Sequence, residues 1–174
     1  MKQKEISLLF GRYVILVVLG LFGLWIFYAI FTPLTIYPVN WVLDKIYGSY
    51  IVEGFDTIYL KGIYLNIIPA CIAGSAYYLL LVLNLTTSMK IEKRIKNILV
   101  LWGCFLALNI IRIVGSAILF YLGYKYFNIV HNAFWYFGST VMVVAIWFGG
   151  AWLFRIKEMP VYSDVKMIFK SIKR

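Results

Sequence analysis

Apolar residues gather into four long runs with almost no charge inside them, separated by clusters that hold the charges and the turn residues. The first run, 13–31, has 19 residues without a charge. At about 1.5 Å per helical residue it covers roughly 28 Å, close to the ~30 Å of a bilayer's hydrocarbon core. It is longer than the apolar core of a signal peptide and no A-x-A site follows it, so it reads as a retained span. The second run covers about 69–88, the third about 98–121 with Arg112 as its one charge, and the fourth about 133–154. Each approaches the ~20 residues that a crossing helix needs. The pattern predicts an all-α integral membrane protein, a four-transmembrane-helix bundle in a single membrane domain over 1–174.

The segment 32–68 between the first two spans is too long for a plain connection. It carries Tyr37, Trp41, Tyr47, Tyr50, Phe55, Tyr59 and Tyr64, ring types favoured at a membrane interface. Residues 38–47 read as a short interfacial helix opened by Pro38. In 50–67, β-branched and aromatic runs are punctuated by Glu53-Gly54, Asp56-Thr57 and Gly62, the signal of a small hairpin. This outer helix and hairpin segment precedes the second span. In the basic tail 155–174, Val161, Val165, Ile168 and Phe169 among lysines give the pattern of a short amphipathic helix on the membrane surface.

Composition sharpens this picture. With 63% hydrophobic and 14% charged residues, the chain has too little polar surface for a water-soluble domain and too much apolar surface for disorder. A net charge of +10 in a soluble domain would point to nucleic acid. Here the basic residues are explained by their positions. Thirteen Lys and Arg residues fall before the first span, between the second and third spans, or in the tail; only Lys45, Lys61 and Lys125 fall on the other side. Both termini are therefore expected in the cytoplasm, in a multi-pass protein of the cell membrane with no nucleic-acid partner. Two cysteines allow one disulfide at most, and no CxxC or Cys/His cluster calls for a metal or another cofactor.

Arg112 is the residue that fits a plain bundle least. An arginine at the centre of a span costs about 2.5–3.5 kcal/mol on insertion scales. It lies roughly 13 Å below the outer end at Tyr121. Asn109 and Ser116 share its helical face as a polar stripe. Such a charge either marks a functional site or is satisfied by backbone carbonyls. Pro69 suits the first position of a helix, so Cys71 falls in the first turn of the second span, near the outer interface. A lone thiol there is otherwise a small hydrophobe. His131, the single histidine, lies just before the fourth span on the same side, as an interfacial ring or an acid/base group. Depth thus places Cys71, Arg112 and His131 in the outer half, on three different spans. Nucleophile, cation and acid/base are the parts needed for acyl transfer by a thiol. Cys104 lies roughly 15–20 Å from that level and reads as packing.

Three ordered motifs carry a resemblance: Pro69-Ala70-Cys71 with Gly74 three residues after the thiol, Asn109-Ile110-Ile111-Arg112-Ile113, and His131 opening the last span. Over about residues 30–155 the chain resembles a compact member of the exosortase/archaeosortase family. Members often carry Cys-Ser-Gly where this chain has Cys71-Ile72-Ala73-Gly74, and many have more spans. The resemblance implies a membrane-embedded thiol protease, a hydrolase or transpeptidase that works on the outer side. Cys71 would be the nucleophile, Arg112 the stabiliser of the thiolate or the oxyanion, and His131 the group that protonates the leaving amine. Asn109 and Ser116 would orient Arg112, with Gly74 as a supporting residue. The implied partners in protein sorting are substrate proteins ending in a short motif, a hydrophobic span and a basic end. The new C-terminus would pass to an acceptor, with a membrane lipid as candidate. The alternative is a non-enzymatic membrane subunit or scaffold in which Arg112 pairs a partner helix.

The charge asymmetry generates the first prediction. Cysteines introduced at 90–96 should resist impermeant maleimide added outside intact cells, while cysteines at 45–61 should react. Outside labelling of 90–96 would invert the topology and remove the outer-face site with it.

Overall fold

A computed structural model describes residues 3–22, 24–52, 54, 56–156, 158, 160, 162 and 165. Its order is α1 (Gln3–Leu21), α2 (Trp25–Tyr47), β1 (Tyr50–Ile51), β2 (Thr57–Leu60), β3 (Ile63–Asn66), α3 (Pro69–Ile72), α4 (Gly74–Leu85), α5 (Ile91–Tyr121), α6 (Phe127–Ala133), a π-helical turn (Phe134–Gly138) and α7 (Ser139–Leu153). The protein is mostly helical, with one small open sheet. Three helical stretches are long and apolar enough to cross a membrane: Trp25–Tyr47, Ile91–Tyr121 and Phe127–Leu153. Leu9–Leu21 and Pro69–Leu85 are apolar but shorter. Of the expected tail helix, Val161, Ile168 and Phe169 lie outside the described residues.

The first expected span, 13–31, is not one helix. The chain leaves helix after Leu21 and re-enters at Trp25, with Leu24 in the left-handed region at φ 61°. The long apolar helix is α2, which runs straight through Pro33 and Pro38. Pro38 therefore lies inside a helix and does not open an interfacial one. Each proline forfeits one backbone bond, a loss that packed neighbours make tolerable in an apolar helix. Here the neighbours are aromatic: Phe31 stacks on Tyr77 at 3.5 Å, and Phe27 meets Trp102 edge-on at 6.2 Å. At the far end of α2, Tyr47 packs on Tyr121 at 4.8 Å. The pairs Phe27–Trp102 and Tyr47–Tyr121 make α2 and α5 parallel. The chain reverses through α3–α4 and again through α7, so α2, α4, α5 and α7 pack side by side with α5 touching all the others.

The hairpin signal corresponds to a three-stranded antiparallel sheet in the order β1-β2-β3. Lys61 and Gly62 form its tight turn, both with positive φ (42° and 93°), as the two-residue hairpin turn requires. The register pairs Leu60 with Ile63 and Ile58 with Leu65. Strand alternation puts Tyr50, Tyr59 and Tyr64 in a row on one face, with adjacent rings 4.9 and 5.2 Å apart. Ile58 and Leu60, on the other face, are fully buried in a core that includes Val39 and Leu43 of α2.

Arg94, by its place in the chain one loop cation among several, is 7% exposed. Its guanidinium donates to the carbonyls of Asn84, Leu85 and Thr87 at 2.7, 2.9 and 2.9 Å. Arg12 also donates to Leu85 O, at 2.9 Å. The last carbonyls of a helix have no intrahelical donors, and a cation is favoured there. Arg94 thus closes the end of α4 from the first turn of α5. Arg94→Met should lower stability by about 3 kcal/mol, since bonds to a charged donor contribute roughly 1.5–3 kcal/mol and buried carbonyls would be left bare. Arg94→Lys should lose part of that. Unfolding in mixed micelles would measure both, and an unchanged midpoint for Arg94→Met would refute the clamp.

Candidate functional site

The site is built on a second break in a helix. Pro69 starts α3, Ile72 ends it, and Ala73 adopts the left-handed region at φ 58° before α4 begins at Gly74. An L-residue in that conformation costs roughly 1–2 kcal/mol. The turn also leaves the carbonyls of Cys71 and Ile72 without the amide donors of a continuous helix. In apolar surroundings unpaired carbonyls are expensive. Side chains of α5 replace the missing donors. Asn109 Nδ2 donates to Cys71 O at 3.0 Å and to Ile72 O at 3.4 Å, and Arg112 Nη2 donates to Cys71 O at 3.2 Å. Asn109 is fully buried.

Arg112 is half-buried, and its second anchor is Ser139, whose Oγ accepts from Nη1 at 2.9 Å. The expectation that Asn109 and Ser116 orient Arg112 is therefore revised. Asn109 shares an acceptor with Arg112 and makes its own contact with the α3 backbone. Ser116 lines the cavity beside Arg112 without a hydrogen bond to it among the described residues. Motif and spacing do not find Ser139. Its one signal in the chain is faint: Ser139-Thr140 is a hydroxyl pair set in an otherwise apolar run.

The π-helical turn, Phe134–Gly138, lies between His131, which lines the cavity, and Ser139, which reaches Arg112. His131 sits on α6, its ring stacked against Phe127 at 5.2 Å. Its Nδ1 is buried and has no hydrogen-bond partner among the described residues. Gly74 has a packing role. A Cβ there would stand 2.9 Å from the ring of Tyr28, so glycine lets α4 approach α2 closely.

Cys71, Arg112, Ser116 and His131 all line one cavity of about 390 Å³. β3 and the residues after it form another wall, and Phe120, Phe127 and Trp135 add aromatic surface. The cavity is mainly apolar with a few convergent polar groups, the usual make-up of a small-ligand or peptide site. Cys104 is exposed on the outside of α5 and does not reach it. Comparison of the chain with protein-family models, with curated proteins and with solved structures finds no match.

The carbonyl anchor generates a prediction. Asn109→Leu keeps the volume but removes both bonds to α3, and should cost about 1–3 kcal/mol. It should also speed Cys71 alkylation by a small maleimide, because the Cys71 carbonyl is then held by Arg112 alone. A variant that matches the parent chain in thermal midpoint and in alkylation rate would show that Asn109 does not anchor the turn.

Proposed function

We propose that the chain is a membrane-embedded cysteine peptidase or transpeptidase of the exosortase/archaeosortase kind. The observation that carries this reading is that Cys71, Arg112 and His131, on three separate helices, line the same cavity. A nucleophile, a fixed cation and an acid/base group meeting in a mainly apolar pocket are the parts of thiol acyl transfer. The Lys/Arg asymmetry supports the topology that goes with it. α2, α3–α4, α5 and α6–α7 are the four crossings, both ends are cytoplasmic, and the sheet and the cavity lie on the outer side of the cell membrane.

In the proposed reaction the Cys71 sulfur attacks the scissile carbonyl while His131 takes the thiol proton. The C–N bond then breaks, His131 returns that proton to the leaving amine, and an acyl thioester remains on Cys71. Arg112 has five N–H donors in a rigid fork, two of which hold Ser139 and the Cys71 carbonyl. Those that remain face the developing oxyanion. Water or an acceptor nucleophile, a membrane lipid among them, then gives its proton to His131 and takes the acyl group. Substrates are proteins whose C-terminal signal combines a short motif, a hydrophobic span and a basic end.

A second reading, a non-enzymatic scaffold, is favoured by one observation. Arg112 has its partners on Ser139 and the Cys71 backbone, as a purely structural arginine would. Mutagenesis separates the two. Cys71→Ala should abolish processing with insertion unchanged, and Cys71→Ser should be nearly inactive because a hydroxyl is the weaker nucleophile. Arg112→Lys should lose about 10²–10³ in rate, the scale for removing an oxyanion donor, because lysine has no planar fork. Mass spectrometry of substrate ends in intact membranes reads this out. Full processing by Cys71→Ala would leave the scaffold.

A further inference from the structure

Among the described residues, one edge of the sheet is uncovered. β1, at one side, is two residues long and packs on α2. β3, at the other side, has no neighbouring strand beyond β2. The hairpin geometry identifies which of its backbone groups are free. Leu60 and Ile63 flank a two-residue turn and exchange both hydrogen bonds, so Ile58 and Leu65 do the same two residues on. Ile67 N continues this phase by donating to Asp56 O at 2.7 Å. The N–H and C=O groups of Tyr64 and Asn66 therefore point away from β2. Among the described residues none of them has a hydrogen-bond partner.

This edge belongs to the cavity. Tyr64, Leu65, Asn66, Ile67 and Ile68 line it, as do Ala70 and Cys71. Tyr64 and Asn66 are exposed, and the unpaired backbone groups of an open strand edge are the template on which an extended peptide pairs. The partner that fits them is another polypeptide backbone, since only that repeats donors and acceptors at twice the strand rise of about 3.3 Å.

We infer that β3 is a substrate-docking strand: an extended, mainly apolar polypeptide segment pairs with the outward groups of Tyr64 and Asn66 and is led along the Ile67–Ile68 wall to Cys71. The inference rests on the peptidase reading for what happens at Cys71, but not for the docking itself. Affinity comes from main-chain bonds and selectivity from alternate side chains, as in other strand-addition sites. Side chains facing the cavity meet Phe120, Phe127 and Trp135, which fixes the preference for apolar residues.

The test uses the full chain carrying Cys71→Ala in lipid nanodiscs, so that binding is read without chemistry. The probe is a mixture of N-acetylated, C-amidated heptapeptides of Ala and Val in random order, with p-benzoylphenylalanine at the centre. On irradiation, cross-links should map to residues 63–68 or to the facing wall at 112–135. The same mixture N-methylated at every amide should label at least tenfold less, because it cannot donate to the strand. Tyr64→Pro and Asn66→Pro, which delete outward N–H groups and spare the bonds to β2, should show the same tenfold loss with an unchanged thermal midpoint. Equal labelling by the methylated mixture, labelling elsewhere, or no labelling would overturn the docking strand. The methylated probe acts on an otherwise intact fold, so it decides the matter even where a proline variant is destabilised. Substrate processing by Cys71→Ala would sink the peptidase reading and leave peptide labelling untouched, so the two failures are told apart.

Discussion

A helix that breaks where its backbone is buried must find new partners for the carbonyls it releases, and that requirement organises this protein. The break is at Ala73, and the carbonyls are those of Cys71 and Ile72. Water would satisfy them at a surface. Here an amide and a guanidinium from α5 do so, which holds Asn109 and Arg112 against the turn that bears the thiol. The cost of a half-buried arginine and the cost of bare carbonyls offset each other. Arg112 is thus structural and adjacent to Cys71 for the same physical reason. A charge placed there for chemistry would need this kind of anchorage in any case.

α5 repeats the device along its length. Arg94 closes one end of α4, Trp102 Nε1 donates to Tyr77 O at 3.1 Å midway, and Asn109 and Arg112 serve the turn at the other end. Between them Asn97, Leu101 and Phe105 are buried on the same stripe. The close approach of α7 uses the same region. A Cβ on Gly150 would stand 2.6 Å from Leu101 and 3.0 Å from Asn97. Polar contacts to backbone set the register between helices, and small residues set their separation. This combination suits an apolar environment, where hydrophobic burial between helices contributes little.

The sheet and the π-helical turn both line the cavity. The sheet is amphipathic across its thickness, with the tyrosine row outward and Ile58 and Leu60 in the core. That packing aims its free edge along the wall leading to Cys71. On the other side one helical path, through the π turn, supplies both the His131 ring and, at Ser139, the anchor of Arg112. The cavity therefore depends on two irregular elements, and neither is needed merely to fill a core.

Much of this is legible in the chain itself. The apolar runs disclose a mostly helical protein with long apolar helices, and turn chemistry around Gly62 discloses strands in the outer segment, because both signals are local. The polar stripe of Asn109, Arg112 and Ser116 stands out because helical spacing alone puts those residues on one face. Other features are decided only by tertiary contacts. Leu24 and Ala73 take the left-handed conformation although neither residue type favours it, and at Ala73 the released carbonyls are bonded by Asn109 and Arg112, distant in sequence. Pro33 and Pro38 carry a breaking signal, yet α2 continues through both. Arg94 reads as a loop cation until the end of α4 is brought against it, and Ser139 reads as incidental until the fold brings it against Arg112. Local sequence determined which segments are helix and strand, whereas side chain to backbone bonds between segments determined where the helices stop and which residues meet.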